Sequence, residues 1–530
     1  MSVLDYDNGR NLGNVTDISG GSPNTGEMRR KYNFAEKFTE LSIDQTPFFR
    51  IVSKIGTKPT DDPQFKFTEK RQSWMKRYGY AIGCGTASAT TSLDSSVTGL
   101  VATETYLYFA SDYESHGNKQ NIVGQAGKSL GATGTRPEFF LKNQMVKVPV
   151  AGEEGGSYAG YRIYQVEDVA QGWVNVTADD VGQGTSAGDF VALADGIGDA
   201  TTPANFLEVT QLKVVLVRDD SLTTDSYLMN FNSTPALVTD VAPNSDYTNT
   251  IAEHLEPKRS YVVGTSYEEG STLMQQNWSD QPYSTGFGYT QIFRNEFGMT
   301  NTARATALKY EKNEWARLWR DKLIEHKWEI EQTALFGAQG THNSSDGAKT
   351  FQTTQGAVDY VLNNGNLFNL ETSNKTEDDF LDDLSQLVDP RYNNSKNMMF
   401  FCDTATYNWL HKLGGYFNNN LEMSTNHSAS FAMTGKKKSF GVDFTTISTV
   451  YGDINVARNI HMDGSGVKIL GMNMNYVKWR PLVANGVDRS TSVYVGVQNL
   501  ENTGTDKRVD MILTEGGFEF SMPECHALWK

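Results

Sequence analysis

The stretch Gly124-Gln125-Ala126-Gly127-Lys128-Ser129 comes nearest to a phosphate-binding loop, in which glycine amides cradle phosphates and a Lys-Ser pair meets phosphate and magnesium. That motif needs another glycine five positions ahead of Gly127, but Ile122 stands there and no apolar strand leads in. A polar loop accounts for it better. Six carboxylates, Glu377, Asp378, Asp379, Asp382, Asp383 and Asp389, form the densest acidic cluster and could offer oxygens to a hard cation. They also open a helical pattern, where negative charge complements the helix dipole. A solvated helix face therefore explains them without a metal.

The eight histidines, His116, His254, His326, His342, His411, His427, His461 and His526, form no HExxH or HxH arrangement, so zinc or facial-triad iron has no support. They are expected at the surface or in packing. Glu325-His326 is the nearest thing to an acid–base pair, yet its neighbours are charged and a helix there needs a polar face in any case. No GxSxG elbow surrounds a serine, and Cys84, Cys402 and Cys525 lack a nucleophile setting. Gly435-Lys436-Lys437-Lys438 is the one concentrated basic patch, read as a solvated loop. No catalytic, metal-binding or cofactor-binding residue is assigned, no cofactor is expected, and the chain is not read as an enzyme.

The elements around these residues follow from composition. At 530 residues the chain exceeds what one core usually organises, roughly 250 to 300 residues, so two or more domains are expected. With 38% hydrophobic and 21% charged residues it should fold. Its 63 acidic against 47 basic residues leave a net charge of −16, which excludes a general grip on phosphates. An odd count of three distant cysteines argues against a disulfide framework and fits a reducing cytoplasm. The polar N-terminus holds no signal-peptide run, and the longest apolar stretch, around Val214 to Val217, is far too short to cross a membrane. A soluble protein is expected.

Residues 1–55 are expected to form an N-terminal arm, with Phe34, Ala35, Phe38 and Leu41 on one helical face and an extended part after Thr46-Pro47 carrying Phe48, Phe49, Ile51, Val52 and Ile55. Gln64-Phe65-Lys66-Phe67-Thr68-Glu69 alternates with period two and Trp74, Tyr78 and Tyr80 follow, which suits a half-exposed strand opening a long ribbon. Residues 85–255, rich in Thr, Ser, Gly, Ala and Val, are expected to be a β-rich insertion. Residues 301–375 carry the strongest periodicity, Leu308, Trp315, Trp319, Leu323, Ile330 and Ala334, which predicts one long amphipathic helix from about Thr302 to Phe336, on the order of 50 Å long. Residues 376–530 predict an α+β domain: a capped helix from Thr376, a strand at Met398 to Phe401, a short helix from Ala405 closed by Gly414-Gly415, then successive strands with a turn at Tyr451-Gly452-Asp453.

Particular segments match a known pattern. Thr46-Pro47-Phe48-Phe49 leading to Phe65-Lys66-Phe67, then Tyr267-Glu268-Glu269-Gly270-Ser271, Tyr289-Thr290-Gln291-Ile292-Phe293, Met299 to Ala303 and Glu325 to Glu331, together with Val450 to Asn459, resemble the Hong Kong 97-type major capsid proteins of tailed bacteriophages over residues 30–80 and 260–530. The resemblance implies an α+β fold with an N-terminal arm, an extended β-loop and peripheral-domain strands from residues 56–84 and 256–300, a long spine helix and peripheral domain over 301–375 and a central axial domain with returning C-terminal strands, the β-rich insertion standing outside it. It implies a shell subunit that self-assembles into hexamers and pentamers around double-stranded DNA, touched only weakly. Its partners would be a separate scaffolding protein, a portal and a decoration protein, with assembly in the host cytoplasm and residence in the virion.

On that reading Phe34, Phe38, Phe48, Phe49, Phe65, Phe67 and Trp74 are candidate inter-subunit contacts, being aromatic anchors on extended segments. The glycines at 286–288 and 337–340 are expected to let parts of the subunit bend. Two rival classes differ in testable ways: a tail or fibre protein with a β-rich binding module would form tubes or rods, and a glycosidase would need a carboxylate pair that the sequence does not supply.

Overall fold

In a computed structural model, residues 46–71, 77–85, 105–111, 136–152, 158–175, 190–193, 206–220, 227–228, 259–272, 283–306, 313–345, 347, 349–370, 375–388, 393, 397–420, 432–439, 442–449 and 451–530 are described. The first element corrects the expectation of an extended arm: Pro47–Ile55 is a helix, α1. Proline suits the first helical position, where its missing N–H has no intrahelical partner to lose. Phe48, Ile51 and Val52 then fall on one buried face. The chain next runs beside a later strand, with Lys58 N donating to Trp479 O at 2.9 Å and Thr60 N to Pro481 O at 2.8 Å.

Strand β1 (Gln64–Glu69) pairs antiparallel with β10 (Ser284–Tyr289) as a two-stranded ribbon. Between them in sequence lie β2 (Tyr78–Gly85), β3 (Thr105–Ala110), β4 (Gln144–Ala151), β5 (Tyr158–Asn175), β6 (Phe190–Ala192), β7 (Phe206–Asp219), β8 (Tyr227–Leu228) and β9 (Arg259–Thr265). These form one antiparallel sheet in the order β6-β5-β7-β3-β2-β9-β4-β8, and β4 also pairs with β5. That last pairing closes a ring of six strands, β5-β7-β3-β2-β9-β4, into a barrel. Alternation along each strand sends Leu107, Phe109, Val146, Val148, Tyr164, Val166, Leu212 and Val214 inside, where all are buried. The barrel strands run from Tyr78 to Thr265, a wider span than the 85–255 stretch that composition marks.

The body holds two further sheets. Strand β11 (Gln291–Thr300) is followed by α2 (Asn301–Ala305) and α3 (Glu314–Phe336). The single 302–336 helix expected from periodicity is thus two among the described residues. Thr306 takes extended geometry after α2, and the Asn313 side chain accepts from Ala316 N to start α3, whose 23 residues span about 35 Å. A hairpin of β12 (Gly340–Asn343) and β13 (Thr350–Thr353), α4 (Ala357–Asn364) and β14 (Asn366–Phe368) follow. Helix α5 (Glu377–Leu387) starts with the expected capping box, Thr376 and Asp379 each accepting from the other's backbone. Then come β15 (Asn397–Cys402), α6 (Thr404–Asn420), β16 (Ala432–Ser439), β17 (Val442–Thr449) and β18 (Gly452–Arg458). Helix α6 passes through Gly414-Gly415 instead of closing there, because glycine weakens a helix interior by only about 1 kcal/mol and does not forbid it. The lysines of 436–438 lie on strand β16 and not in a loop.

The C-terminal strands are β19 (Ile469–Met472), β20 (Val477–Pro481), the small hairpin β21 (Val483–Ala484) and β22 (Val487–Asp488), β23 (Ser492–Gln498), then α7 (Leu500–Thr503), β24 (Lys507–Phe520) and β25 (Ala527–Trp529). One sheet is β11-β24-β20 with β23 also on β24; the other has seven strands in the order β14-β25-β19-β15-β18-β17-β16. Mixed pairing, parallel for β14–β25 and β15–β18 and otherwise antiparallel, fits the expected α+β class. The chain passes between the two sheets at Asn473–Tyr476 and again at Ser521–His526, and these crossings lie side by side: Ser521 N donates to Tyr476 O at 3.1 Å.

Candidate functional site

Two kinds of feature stand out: polar groups buried between elements, and apolar groups left uncovered. The first begins at α3, where His326, Ile330, Glu331, Ala334 and Leu335 are all buried. Glu331 accepts from Phe48 N at 3.0 Å, Phe49 N at 2.7 Å and Asn459 Nδ2 at 2.9 Å. The Thr46 side chain does not cap α1, so a carboxylate from another helix satisfies its first free amides. Burial pushes the Glu331 carboxyl up to about 7 against the pull of those bonds and of Arg50.

His326 corrects the solvated reading of Glu325-His326. Nδ1 donates to Asn295 Oδ1, which leaves Nε2 to accept from the Thr514 hydroxyl at 2.8 Å. Burial alone lowers its pKa to about 4, so a neutral imidazole joins α3 to β11 and β24. Its role is positional, tying three elements together. Asp383, taken with the acidic cluster as a solvated face, accepts from Trp529 Nε1 at 2.9 Å and pairs with Lys375; burial raises its pKa. His461 and His526 are buried as well, and all three cysteines are buried thiols outside any disulfide. Among the described residues no group of three or more His, Cys, Asp or Glu is placed to hold a metal ion.

The candidate contact residues divide. Phe48 is fully buried against Phe401, and Phe49 packs on Trp479 and Phe518, so both serve the chain's own core. Phe65 is buried beneath the Arg480 guanidinium, 5.2 Å from the ring centre. Phe67 is half-buried on the same strand. The rings of Phe67 and Phe65 fill the places that side chains at Gly286 and Gly288 would take, so those glycines serve as sockets for the two rings. Gly337 likewise serves close backbone approach, against Thr333 and Thr354 carbonyls. Phe34, Phe38, Trp74 and the loop at Gly124 to Ser129 lie outside the described residues.

The uncovered feature is β23. Val493, Tyr494, Val495 and Val497 are all exposed, as is Leu500 after it, and no charged residue occurs from Ser490 to Leu500. Sheet edges are normally guarded by charge. The loop that carries these side chains is rigidly built: Asn499 and Asn502 cap one another, Asn502 Nδ2 donates to Val497 O at 2.9 Å, and buried Asp510 accepts from Gly496 N at 2.7 Å. Sequence reading missed Glu331, Asp510 and this edge. An acidic residue among Ile330, Ala334 and Leu335 on the apolar stripe of α3 was the available signal for the first.

Three comparisons bear on what these features serve. The curated "Major capsid protein" of Pseudomonas phage PaMx41 is 30% identical over 192 residues, 35% of this chain and 42% of that relative, so the chain spans about two fifths of its length. Among solved structures, the capsid of cyanophage P-SCSP1u (9% identity, TM-score 0.33, 51% of this chain and 80% of that one) and the capsid of Myoviridae phage XM1 (10%, 0.32, 50% and 80%) are similar. So is the holo-SrpI encapsulin complex of Synechococcus elongatus PCC 7942 (12%, 0.32, 47% and 77%). The family described as SU10 major capsid protein matches residues 15–530, taking in the ribbon, the barrel and both sheets of the body. With nearly the whole sequence matched, the chain belongs to the SU10 major capsid protein family.

Proposed function

We propose that this subunit closes into hexamers and pentamers to form the icosahedral head around double-stranded DNA, with the Hong Kong 97-like arrangement of ribbon, long helix and axial sheet. The observation that carries the reading is the unguarded apolar edge Val493 to Leu500. A lone acidic chain gains nothing from a rigid, uncharged apolar loop in water, whereas identical chains of net charge −16 meet with least repulsion where charge is absent. Aromatic residues of the arm and ribbon, Phe34, Phe38, Phe67 and Trp74, would add clasping contacts. The acidic balance keeps the wall from adhering to packed DNA, and a scaffolding protein, portal and decoration protein would act on the assembling shell in the host cytoplasm. The barrel is carried on the ribbon as an inserted unit.

Cryo-electron microscopy of the chain expressed with its phage's own assembly genes tests this. Closed shells with fivefold and sixfold clusters are expected. Tubes or trimeric rods would instead assign the chain to a tail or fibre.

A further inference from the structure

The second crossing between the body's sheets is held in an unusual way. Met522 sits at φ +54° and ψ 70°, a left-handed conformation in which the Cβ of a side-chain-bearing residue crowds the following carbonyl oxygen. Its N–H donates to Glu69 Oε1 at 2.9 Å, so the end of ribbon strand β1 grips the strained residue directly. Two residues on, Arg71 forks onto Glu524 of the same turn, Nε to Oε1 at 2.8 Å and Nη2 to Oε2 at 3.0 Å. Arg71 also pairs with Glu69 at 2.9 Å and donates to Ser284 Oγ, on the other ribbon strand, at 3.1 Å. All three charged side chains are nearly buried, at 5%, 10% and 3% exposure for Arg71, Glu69 and Glu524.

The turn is tied just as firmly to both sheets. His526 bridges the crossings, Nδ1 accepting from Asn473 N at 3.3 Å and Nε2 donating to Ser521 O at 3.0 Å. Asn366, at the edge of the seven-stranded sheet, donates to Glu524 O and His526 O. The ribbon that leads to the barrel is therefore latched onto the hinge between the two body sheets, at the one described hinge residue held in a strained conformation.

We infer that the Arg71–Glu69–Glu524 cluster is a catch that couples the ribbon to the inter-sheet hinge: while it is closed, Met522 is held left-handed, and when it opens, turn and ribbon are released together. Burial makes the catch two-state. A buried ion pair missing one partner is strongly unfavourable, so partial opening is disfavoured. Relaxation of Met522 supplies a second stable arrangement for the turn. Subunits placed at unequal lattice angles could use the two arrangements, yet the coupling belongs to the single chain and does not depend on assembly.

Hydrogen exchange of the full-length chain, in wild type, Arg71→Gln, Glu69→Gln, Met522→Gly and the Arg71→Gln/Met522→Gly double variant, tests it. Arg71→Gln should speed exchange of ribbon amides 284–289 and hinge amides 521–529 together, by about tenfold or more, while barrel amides keep their rates. Glu69→Gln keeps an acceptor for Met522 N and should give a smaller rise in the same two segments, which serves if Arg71→Gln does not fold. Glycine has no left-handed penalty, so Met522→Gly should slow the hinge amides and, in the double variant, return them to within about threefold of wild type. Exchange that rises in the ribbon alone, or a double variant no slower at 521–529 than Arg71→Gln, would overturn the coupling.

Discussion

The barrel and the body solve the same problem, holding many strands in register, by opposite means. The barrel closes on itself: β4 pairs with both β5 and β9, so the six-stranded ring has no free edge, and a mainly aliphatic and aromatic core fills it, with a few buried polar contacts such as Gln211 to Tyr108 and Arg259 to Tyr80. The body leaves β23 uncovered and joins its pieces through buried polar groups, Glu331, His326, Asp510, Arg71 and His526. Apolar packing is tolerant of small shifts, whereas a buried carboxylate or imidazole must meet particular partners. Packing of apolar side chains thus dominates in the barrel, whereas buried polar junctions fix the angles between elements of the body.

Glu331 is the polar junction whose loss costs the body most. Glu331→Ala strands three donors in the core and should destabilise the body by about 3–5 kcal/mol, each lost buried bond contributing 1–3 kcal/mol, with no change in barrel exchange rates. A thermal melt with segment-resolved exchange separates the two. Leu212→Ala is the mirror experiment: a buried barrel leucine should cost about 2–5 kcal/mol and lower barrel protection while α3 amides keep theirs. Equal effects in both regions would show a single cooperative unit and remove the distinction.

Acidification gives a subtler contrast. His326 and His526 have folded pKa values near 4 against 6.5 when unfolded, so the unfolded chain binds more protons and their contribution, complete above pH 6.5, is lost as pH falls toward 4. Glu331, raised to about 7, acts oppositely, the folded state gaining as pH drops from 7 toward 4.5. Two histidines against one glutamate leave a net loss below pH 6.5, confined to the body, and His526→Gln should flatten the profile in a pH series of melts. Gly288→Ala, which pushes a methyl into the buried Phe65 ring, should cost about 1–3 kcal/mol and loosen the ribbon amides. Smallest for the isolated chain is Val495→Asp, which at an exposed position should move the melt by less than about 0.5 kcal/mol while sharply reducing shell yield on micrographs. Full shell yield from that variant would remove β23 from the assembly surface.

Some of this was written locally. Period-two alternation in Gln64 to Glu69, the capping box at Thr376 and the turn at Tyr451 all depend on neighbours within a few residues, and each appears as expected. Helix continuity did not follow as well. Periodicity ran through 302–336, whereas Thr306 leaves helical geometry and α3 begins only at Glu314. At Pro47 the same proline that limits the residue before it also starts a helix well, and apolar spacing at 48, 51, 52 and 55 favoured the helix.

By itself the sequence determined the strand-forming segments, the helix caps, the acid excess and membership of a capsid family, because these reside in composition and short-range pattern. Tertiary structure alone decided that β4 closes a ring, that Phe48 and Phe65 turn inward, and that Glu331, Arg71 and His526 are buried at junctions between distant segments. The reason is physical: a charged residue looks alike in a solvated helix and in a buried junction until partners hundreds of residues away supply its hydrogen bonds. Those partners, 283 positions apart for Glu331 and Phe48 and 453 for Arg71 and Glu524, are brought together only by the fold.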